Sequence, residues 1–401
     1  MPSTGFTEEI EKSVLEPAAA ARIEPALAAS TSPDVWVHRY EGADSGWRLS
    51  IATHAEPGSG KMSLGGFRIA PEGRTDVPGY DNDREAIGLA IGMEEKIYWS
   101  RLLRVGGPLG VREAHRIVGG KCVLQPTADA RVGRLRDRAL LDFAIGCFRD
   151  FESGTGIHLT TGQDLGHGLM SDGVTPSLAY LNQRFRGSVL ADTSKPTAEG
   201  NFHLLLGMLR AFGVAPEGAR IALVGVGNIG RHLLGRLRAL GARVEALEIS
   251  PATRSALEES GVRAWPVEDK AAFLARPADA VVVNAAGGSL DRVAIDAVAA
   301  NAEVKVVCGS ENLAMPDPAG AAALLRARKV YAPTELGGMM GYLTAVEEYL
   351  SRREGKPFAL DTLFEAACRL EVVGHAATSR VVAGGFRESF GEAVRAAFGG
   401  A

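Results

Sequence analysis

The stretch Ile221 to Gly230, IALVGVGNIG, constrains the fold more than any other part of the chain. A short β-branched run (Ile221 to Val224) meets three glycines at GxGxxG spacing, Gly225, Gly227 and Gly230. An amphipathic helical pattern (Ile229 to Leu240) follows, then a second β-run (Val244 to Glu248) that ends in an acid. Each glycine answers a different steric demand. The first permits the tight turn out of a strand, the second lets backbone approach a pyrophosphate, and the third lets the helix pack close to the strand. The helix that opens at Asn228 and Ile229 then offers free N–H groups and a positive dipole end to the phosphates. Glu248 closes the second β-run, where a dinucleotide fold places its ribose-binding acid. A carboxylate there accepts hydrogen bonds from ribose hydroxyls and repels a 2′-phosphate, which favours NAD over NADP, although Arg254 is close by. A second cluster, PGSGK at Pro57 to Lys61, fails as a phosphate loop. Ala55 occupies the leading glycine position and Met62 the Ser/Thr position, so it reads as a turn.

Around the glycine loop, helical and β-runs alternate. Phe202 to Phe212 reads as a helix closed by Gly213, and Ala280 to Asn284 and Val304 to Val307 as further strands. This is the pattern of an α/β, doubly wound parallel sheet. The N-terminal third mixes strands (Val35 to Tyr40, Trp47 to Ala52) with helices (Arg84 to Arg101, Ala139 to Phe151), and Gly106 to Gly110 reads as a loop. The C-terminal stretch reads as all helical. With 401 residues, two domains are expected: an α/β substrate domain over 1–190, to which the C-terminal helices of 345–401 return, and a Rossmann domain over 191–344.

The net charge of −4 is spread along the chain without a basic block, which argues against nucleic acid or a membrane surface as partner. No apolar run is long enough for a membrane span, and the polar start MPSTGFTEEIEK lacks the features of a secretory signal. Cys122, Cys147, Cys308 and Cys368 form no CxxC pair and read as reduced core thiols, which points to the cytoplasm.

Upstream of the glycine loop stand LGGFR (Leu64 to Arg68), YDNDREAIGLAIGMEEK (Tyr80 to Lys96), GGK (Gly119 to Lys121) and TGQDLG (Thr161 to Gly166). Downstream motifs are PTAEG (Pro196 to Gly200), GSEN (Gly309 to Asn312) and YAP (Tyr331 to Pro333). In this order the set resembles the glutamate/leucine/phenylalanine/valine dehydrogenases over roughly residues 60–345, nearest to the leucine and phenylalanine type. The resemblance implies oxidative deamination of an amino acid, or reductive amination of a keto acid with ammonia, using NAD. It also implies a symmetric homo-oligomer built through the N-terminal domain, and no metal. Lys96 would hold the substrate carboxylate, Lys121 would activate water and stabilise the carbinolamine, and Asp164 would be its acid/base partner. Thr197, Ala285, Ala286 and Asn312 would lie along the cofactor, and Gly65 and Gly66 would let backbone approach the substrate. A lysine acting as a base near neutral pH needs a lowered pKa, which a dry cleft and a second cation would supply. His158 and His167 flank Asp164 at a spacing that matches no common metal-ligand pattern.

The chain departs from the family at the substrate end. The stretch between Lys96 and Lys121 is longer than in the leucine type, and the extra part is expected to reshape the substrate pocket. After Tyr331 the expected asparagine is missing, and Glu335 is the charged group present there. Gly162 is smaller than the alanine of the leucine type and suggests a bulky or non-standard substrate. Two alternatives stay open: an amine-transforming enzyme that uses NAD without net redox, as a cyclodeaminase does, and a non-catalytic NAD-sensing protein.

Overall fold

The computed structural model describes residues 8–400. It contains two six-stranded sheets and numerous helices, in two compact units. The first unit comprises the chain up to Tyr98, Pro108–Asp192 and Ala345–Phe358; the second comprises Trp99–Gly107, Thr193–Thr344 and the chain from Ala359. Among the described residues no helix is long and apolar enough to cross a membrane.

The sheet of the first unit holds β1 (Ile10–Leu15), β2 (Trp36–Gly42), β3 (Arg48–Thr53), β4 (Met62–Ile69), β5 (Ile117–Gln125) and β6 (His158–Gln163) in the order β1-β2-β3-β5-β4-β6. The first four in that order pair antiparallel, whereas β4 runs parallel to both β5 and β6. The helix Asp137–Thr155 has its apolar stripe (Leu140, Leu141, Ala144, Phe148, Phe151) in one core with Trp47, Leu49, Ile51, Phe67 and Leu124. The helix Asn82–Leu103 meets the strands so closely that a Cβ on Gly119 would lie on the backbone of Glu94.

The second unit is all parallel: β7 (Arg220–Val224), β8 (Arg243–Leu247), β9 (Ala264–Trp265), β10 (Ala280–Val283), β11 (Val306–Gly309) and β12 (Val330–Tyr331), in the order β12-β11-β10-β7-β8-β9. Val224 pairs with Leu247 and with Val283, and Val283 with Gly309. The strands therefore end in register, and Ser310, Asn284, Gly225 and Glu248 follow one another across the carboxyl edge. The order reverses between β7 and β10, the switch point at which such sheets bind ligands.

Three expectations need correcting. The C-terminal helices do not return as a group to the first unit: only Ala345–Phe358 cluster there, and the rest belong with the second. The cause is packing, because the helix Asp361–Ala383 lies along Ser194–Ala211 at two glycine contacts. A Cβ on Gly207 would overlap Glu371 O, and one on Gly374 would overlap Leu204 O. The expected loop at Gly106 to Gly110 gives way at Pro108 to a short helix, Pro108–Glu113. Proline suits a first helical turn, where its missing N–H costs nothing. The free N–H groups of Leu109 and Gly110 find the buried Glu347 carboxylate at 3.0 Å and 2.7 Å. Finally, Cys122, Cys147 and Cys308 are buried, but Cys368 is exposed although it lies beside the helix Ser194–Ala211, so it is not a core thiol.

Candidate active site

The sequence motifs of the first unit converge on neighbouring strands. LGGFR lies on β4, GGK on β5, and TGQ ends β6 with Asp164 just beyond it. β4 lies between the other two, so Gly66 stands opposite Gly162, with Lys121 close on the other side. The glycine pair makes room for the lysine. A Cβ on Gly65 would overlap Gly120 O, and one on Gly66 would lie 2.7 Å from Lys121 Nζ. Sequence reasoning assigned these glycines to a substrate approach; the structure shows them accommodating β5 and the side chain of Lys121.

Lys121 is 4% exposed and its Nζ is ion-paired with Asp164 Oδ2. A third group completes the cluster: Arg68, on β4, only 2% exposed. Its guanidinium grips Asp164 as a fork, with Nε 3.3 Å from Oδ2 and Nη2 3.2 Å from Oδ1. Such a two-pronged contact fixes the carboxylate in orientation as well as in place. Nη1 donates to Glu85 Oε1 at 2.6 Å, and Arg74 Nε lies 3.0 Å from that same oxygen. Charges alternate along the chain Lys121, Asp164, Arg68, Glu85, Arg74, so each buried ion has a counter-ion. Burial pushes the Lys121 ammonium below the ordinary lysine range; Asp164 opposes this and Arg68 reinforces it. Burial alone would raise Asp164, but Arg68 and Lys121 outweigh it and hold the carboxyl far below the usual carboxylate range. The result is an ionised aspartate beside a lysine whose neutral form is accessible, which is the arrangement needed to move a proton.

Sequence reasoning looked for a second cation and did not name Arg68, although it ends the LGGFR motif; Glu85, inside the Tyr80 to Lys96 motif, was missed with it. Lys96 is also buried, on the helix whose Glu94 accepts a hydrogen bond from Gly119 N at 2.6 Å. Gly162 faces protein on the side where a Cβ would stand, with Val189 Cγ2 at 3.4 Å and Ala345 Cβ at 3.5 Å. His167 serves structure: its ring nitrogens bond Phe67 O (2.8 Å) and Ser177 Oγ (3.1 Å). His158 is half exposed, 4.0 Å from Glu152.

In the second unit the glycine loop has the expected stereochemistry. Gly225 has φ +84°, a left-handed conformation, and a Cβ there would come within 2.8 Å of Ala285 N. Glycine alone adopts that conformation without steric cost. A Cβ on Gly230 would overlap Gly225 O, which explains the third glycine. Gly227 caps the helix Asn228–Ala239 without a side-chain hydrogen bond, and a Cβ there would meet nothing. A twelve-residue helix thus begins at a residue with no side chain and no neighbour where one would stand, the kind of start a pyrophosphate can approach. Ile229 is half-buried, and exposed Asn228 accepts from Arg231 at 2.6 Å.

Glu248 is buried at the end of β8, where it accepts from Val226 N (2.8 Å) and Ser250 N (2.9 Å), tying the acid to the glycine loop itself. Arg254 Nη1 donates to the carbonyls of Glu248 and Ile249 at 2.7 Å and 2.8 Å, so this guanidinium braces the loop. Beyond β10, Ala285 and Ala286 begin a turn held by Glu311. Its buried carboxylate accepts from Ala285 N (3.0 Å) and Ser289 N (2.9 Å). The GSEN motif pointed to Asn312, which is half-buried; its neighbour Glu311 organises the turn and was missed. Thr197 is buried on the helix Ser194–Ala211, its hydroxyl donating to Thr193 O at 2.6 Å. Glu335 is half-buried on the short helix Thr334–Gly337.

No protein-family model matches the sequence, and no curated protein matches it. Solved structures are similar in fold. L-tryptophan dehydrogenase from Nostoc punctiforme aligns over 87% of this chain and 90% of its own, with 18% identity and a TM-score of 0.58. The hetero-hexameric glutamate dehydrogenase from Thermus thermophilus aligns over 98% and 89%, with 16% identity and a TM-score of 0.62. Glutamate dehydrogenase from Plasmodium falciparum aligns over 99% and 82%, with 13% identity and a TM-score of 0.61. The chain therefore has the two-domain α/β fold of the amino-acid dehydrogenases.

Proposed function

We propose that this protein is an NAD-dependent amino-acid dehydrogenase, which oxidatively deaminates an amino acid and, in reverse, aminates a keto acid with ammonia. The observation that carries the reading is the buried Lys121–Asp164–Arg68 cluster. Lys121 Nζ, neutral when its proton has left, takes a proton from the water that attacks the α-carbon. Asp164 stays ionised and stabilises the resulting ammonium, and Arg68 holds the aspartate in place. Lys96 Nζ supplies a second positive charge for the substrate carboxylate. The glycine loop, the unobstructed Gly227 before its helix and the Glu248 carboxylate fit a dinucleotide, which when bound supplies the hydride acceptor. Hydride acceptance and water activation then fall to different units of one chain, and a symmetric homo-oligomer in the cytoplasm is the setting the reading implies.

The test is a panel of amino acids, aromatic and non-proteinogenic ones included, offered with NAD at alkaline pH and read by NADH absorbance. Stoichiometric NADH with release of ammonia supports the reading; a panel that yields neither with any member, from protein shown to bind NADH, overturns it.

The cofactor choice has its own test. Glu248 is the group that would accept the ribose hydroxyls, and hydrogen bonds to a charged group are worth about 1.5–3 kcal/mol. Glu248→Ala is expected to weaken NAD binding by about 10-fold or more and to narrow the preference over NADP, measured as kcat/KM for both. An unchanged ratio would exclude Glu248 as the discriminating residue.

A further inference from the structure

The exposed cysteine does not stand alone. Cys368 lies on the helix Asp361–Ala383, which packs along Ser194–Ala211. Its Sγ is 3.5 Å from Nε2 of His203 on that second helix. The other ring nitrogen, Nδ1, is 3.3 Å from Glu371 Oε2, one turn further along the cysteine's own helix. Glu371 is also ion-paired with Arg210. A second carboxylate, Glu199 Oε2, approaches Nε2 at 3.8 Å, and the same side chain is held by Arg236 at 3.2 Å. The thiol is also placed to donate to Phe364 O, at 3.5 Å. A nucleophile within reach of a base, with the base oriented by a third group, is the pattern of an activated nucleophile.

Close helix packing keeps this pattern in place. The contacts at Gly207 and Gly374 admit no side chain, so they hold the two helices together at one crossing, about one turn from His203 and Cys368. A rigid seam holds Sγ and Nε2 at their spacing without relying on long flexible side chains. Burial keeps the imidazole neutral at rest, and Arg236 and Arg210 act in the same direction; the imidazolium that forms when the thiol proton arrives is favoured by the Glu199 carboxylate, which opposes them. With the ring proton on Nδ1 facing Glu371, Nε2 is left to face the thiol.

We propose that Cys368 is a modification site for small disulfides, with His203 as the base that takes its proton and Glu371 as the group that positions the ring. The thiol proton moves to His203 Nε2, and the thiolate attacks one sulfur of the disulfide. A new S–S bond forms to Cys368 as the old one breaks, and the leaving thiolate takes the proton from the imidazole. The cysteine is oxidised to the mixed disulfide and half of the reagent is reduced to thiol. The other three cysteines cannot compete: burial pushes the Cys122 and Cys308 thiols up to about 12, and raises Cys147 as well.

The experiment treats the full-length native protein with dithiodipyridine, an uncharged disulfide that does not sense the neighbouring arginines electrostatically. An unassisted thiol of pKa about 8.5 is only a few per cent thiolate at neutral pH, so an assisted one is expected to react about 10-fold faster than free glutathione at pH 7. One fast equivalent per chain is expected, absent in Cys368→Ser and slowed to the glutathione rate in His203→Gln. A native rate no faster than glutathione, or a folded His203→Gln variant that reacts as fast as the unsubstituted chain, overturns the proposal. Should His203→Gln not fold, the pH profile of the native chain decides. A rate nearly flat from about pH 6 to 8 supports the proposal, and one rising about tenfold per pH unit, as for an unassisted thiol, overturns it.

Discussion

Lys121→Ala is expected to lower amino-acid oxidation by ~10³-fold or more while leaving the chain folded and able to bind NADH. The size follows from the role: a positioned general base typically contributes about 10²–10⁴-fold, and this lysine would also carry the charge that steadies the tetrahedral intermediate. The fold should survive because Asp164 is not abandoned. Arg68 still grips both of its oxygens, so no buried carboxylate loses every counter-ion. NADH binding should survive because the glycine loop and Glu248 belong to the other unit. The measurements are initial rates with the best substrate of the panel, NADH fluorescence titration and a thermal melt. Lys121→Arg is the informative companion. It keeps a cation beside Asp164 but cannot be deprotonated, so it should be as inactive as the alanine variant. Ordinary turnover in either variant would remove Lys121 from the mechanism.

The unit that carries the glycine loop was legible because its pattern is local. Within Ile221 to Glu248 a strand, a turn, a helix and a second strand ending at an acid follow one another without interruption, and the structure bears out the steric reasons for the first and third glycines, Gly225 and Gly230. The first unit was harder for the opposite reason. β4, β5 and β6 carry the pairs Gly65-Gly66 and Gly119-Gly120 and the single Gly162, which depress the β-pattern where the strands matter most. Their motifs were therefore read as motifs and not as three neighbouring strands. Arg68 was missed because the partner that matters, Asp164, is 96 residues away and meets it only when β6 pairs with β4. Glu347, capping a helix that read as a loop, lies 238 residues from Leu109. The return of the C-terminal helices was misjudged because an apolar stripe says that a helix is buried and not which neighbour buries it. The deciding feature was a pair of glycines, Gly207 and Gly374, unremarkable in a chain with 49 of them.

Arg68→Gln should produce the second large effect, and one that a purely structural residue would not. Arg68 touches neither reactant in the proposed reaction; it acts through Asp164 and is a positioning residue. Losing the fork removes two charge-assisted hydrogen bonds from Asp164, and such bonds are worth about 1.5–3 kcal/mol each, so kcat should fall on the order of 10–100-fold. The substrate KM should change little, because Lys96 is untouched. The pH profile carries the decisive sign. A cation near Lys121 disfavours the ammonium and lowers the lysine's pKa. Removing that cation lets the ammonium persist to higher pH, so the rise of kcat with pH should move to more alkaline values. Arg68→Lys, which restores a charge without the fork, should return the pH profile towards its original position while recovering only part of the rate. Stability will drop in both variants, but the variants should still fold, since Asp164 retains Lys121 and Glu85 retains Arg74. If Arg68 merely propped up the fold, its loss would lower the fraction of active protein and leave the pH dependence of the remainder in place. An unmoved profile, or one moved towards acid, would therefore refute the electrostatic role even if activity fell.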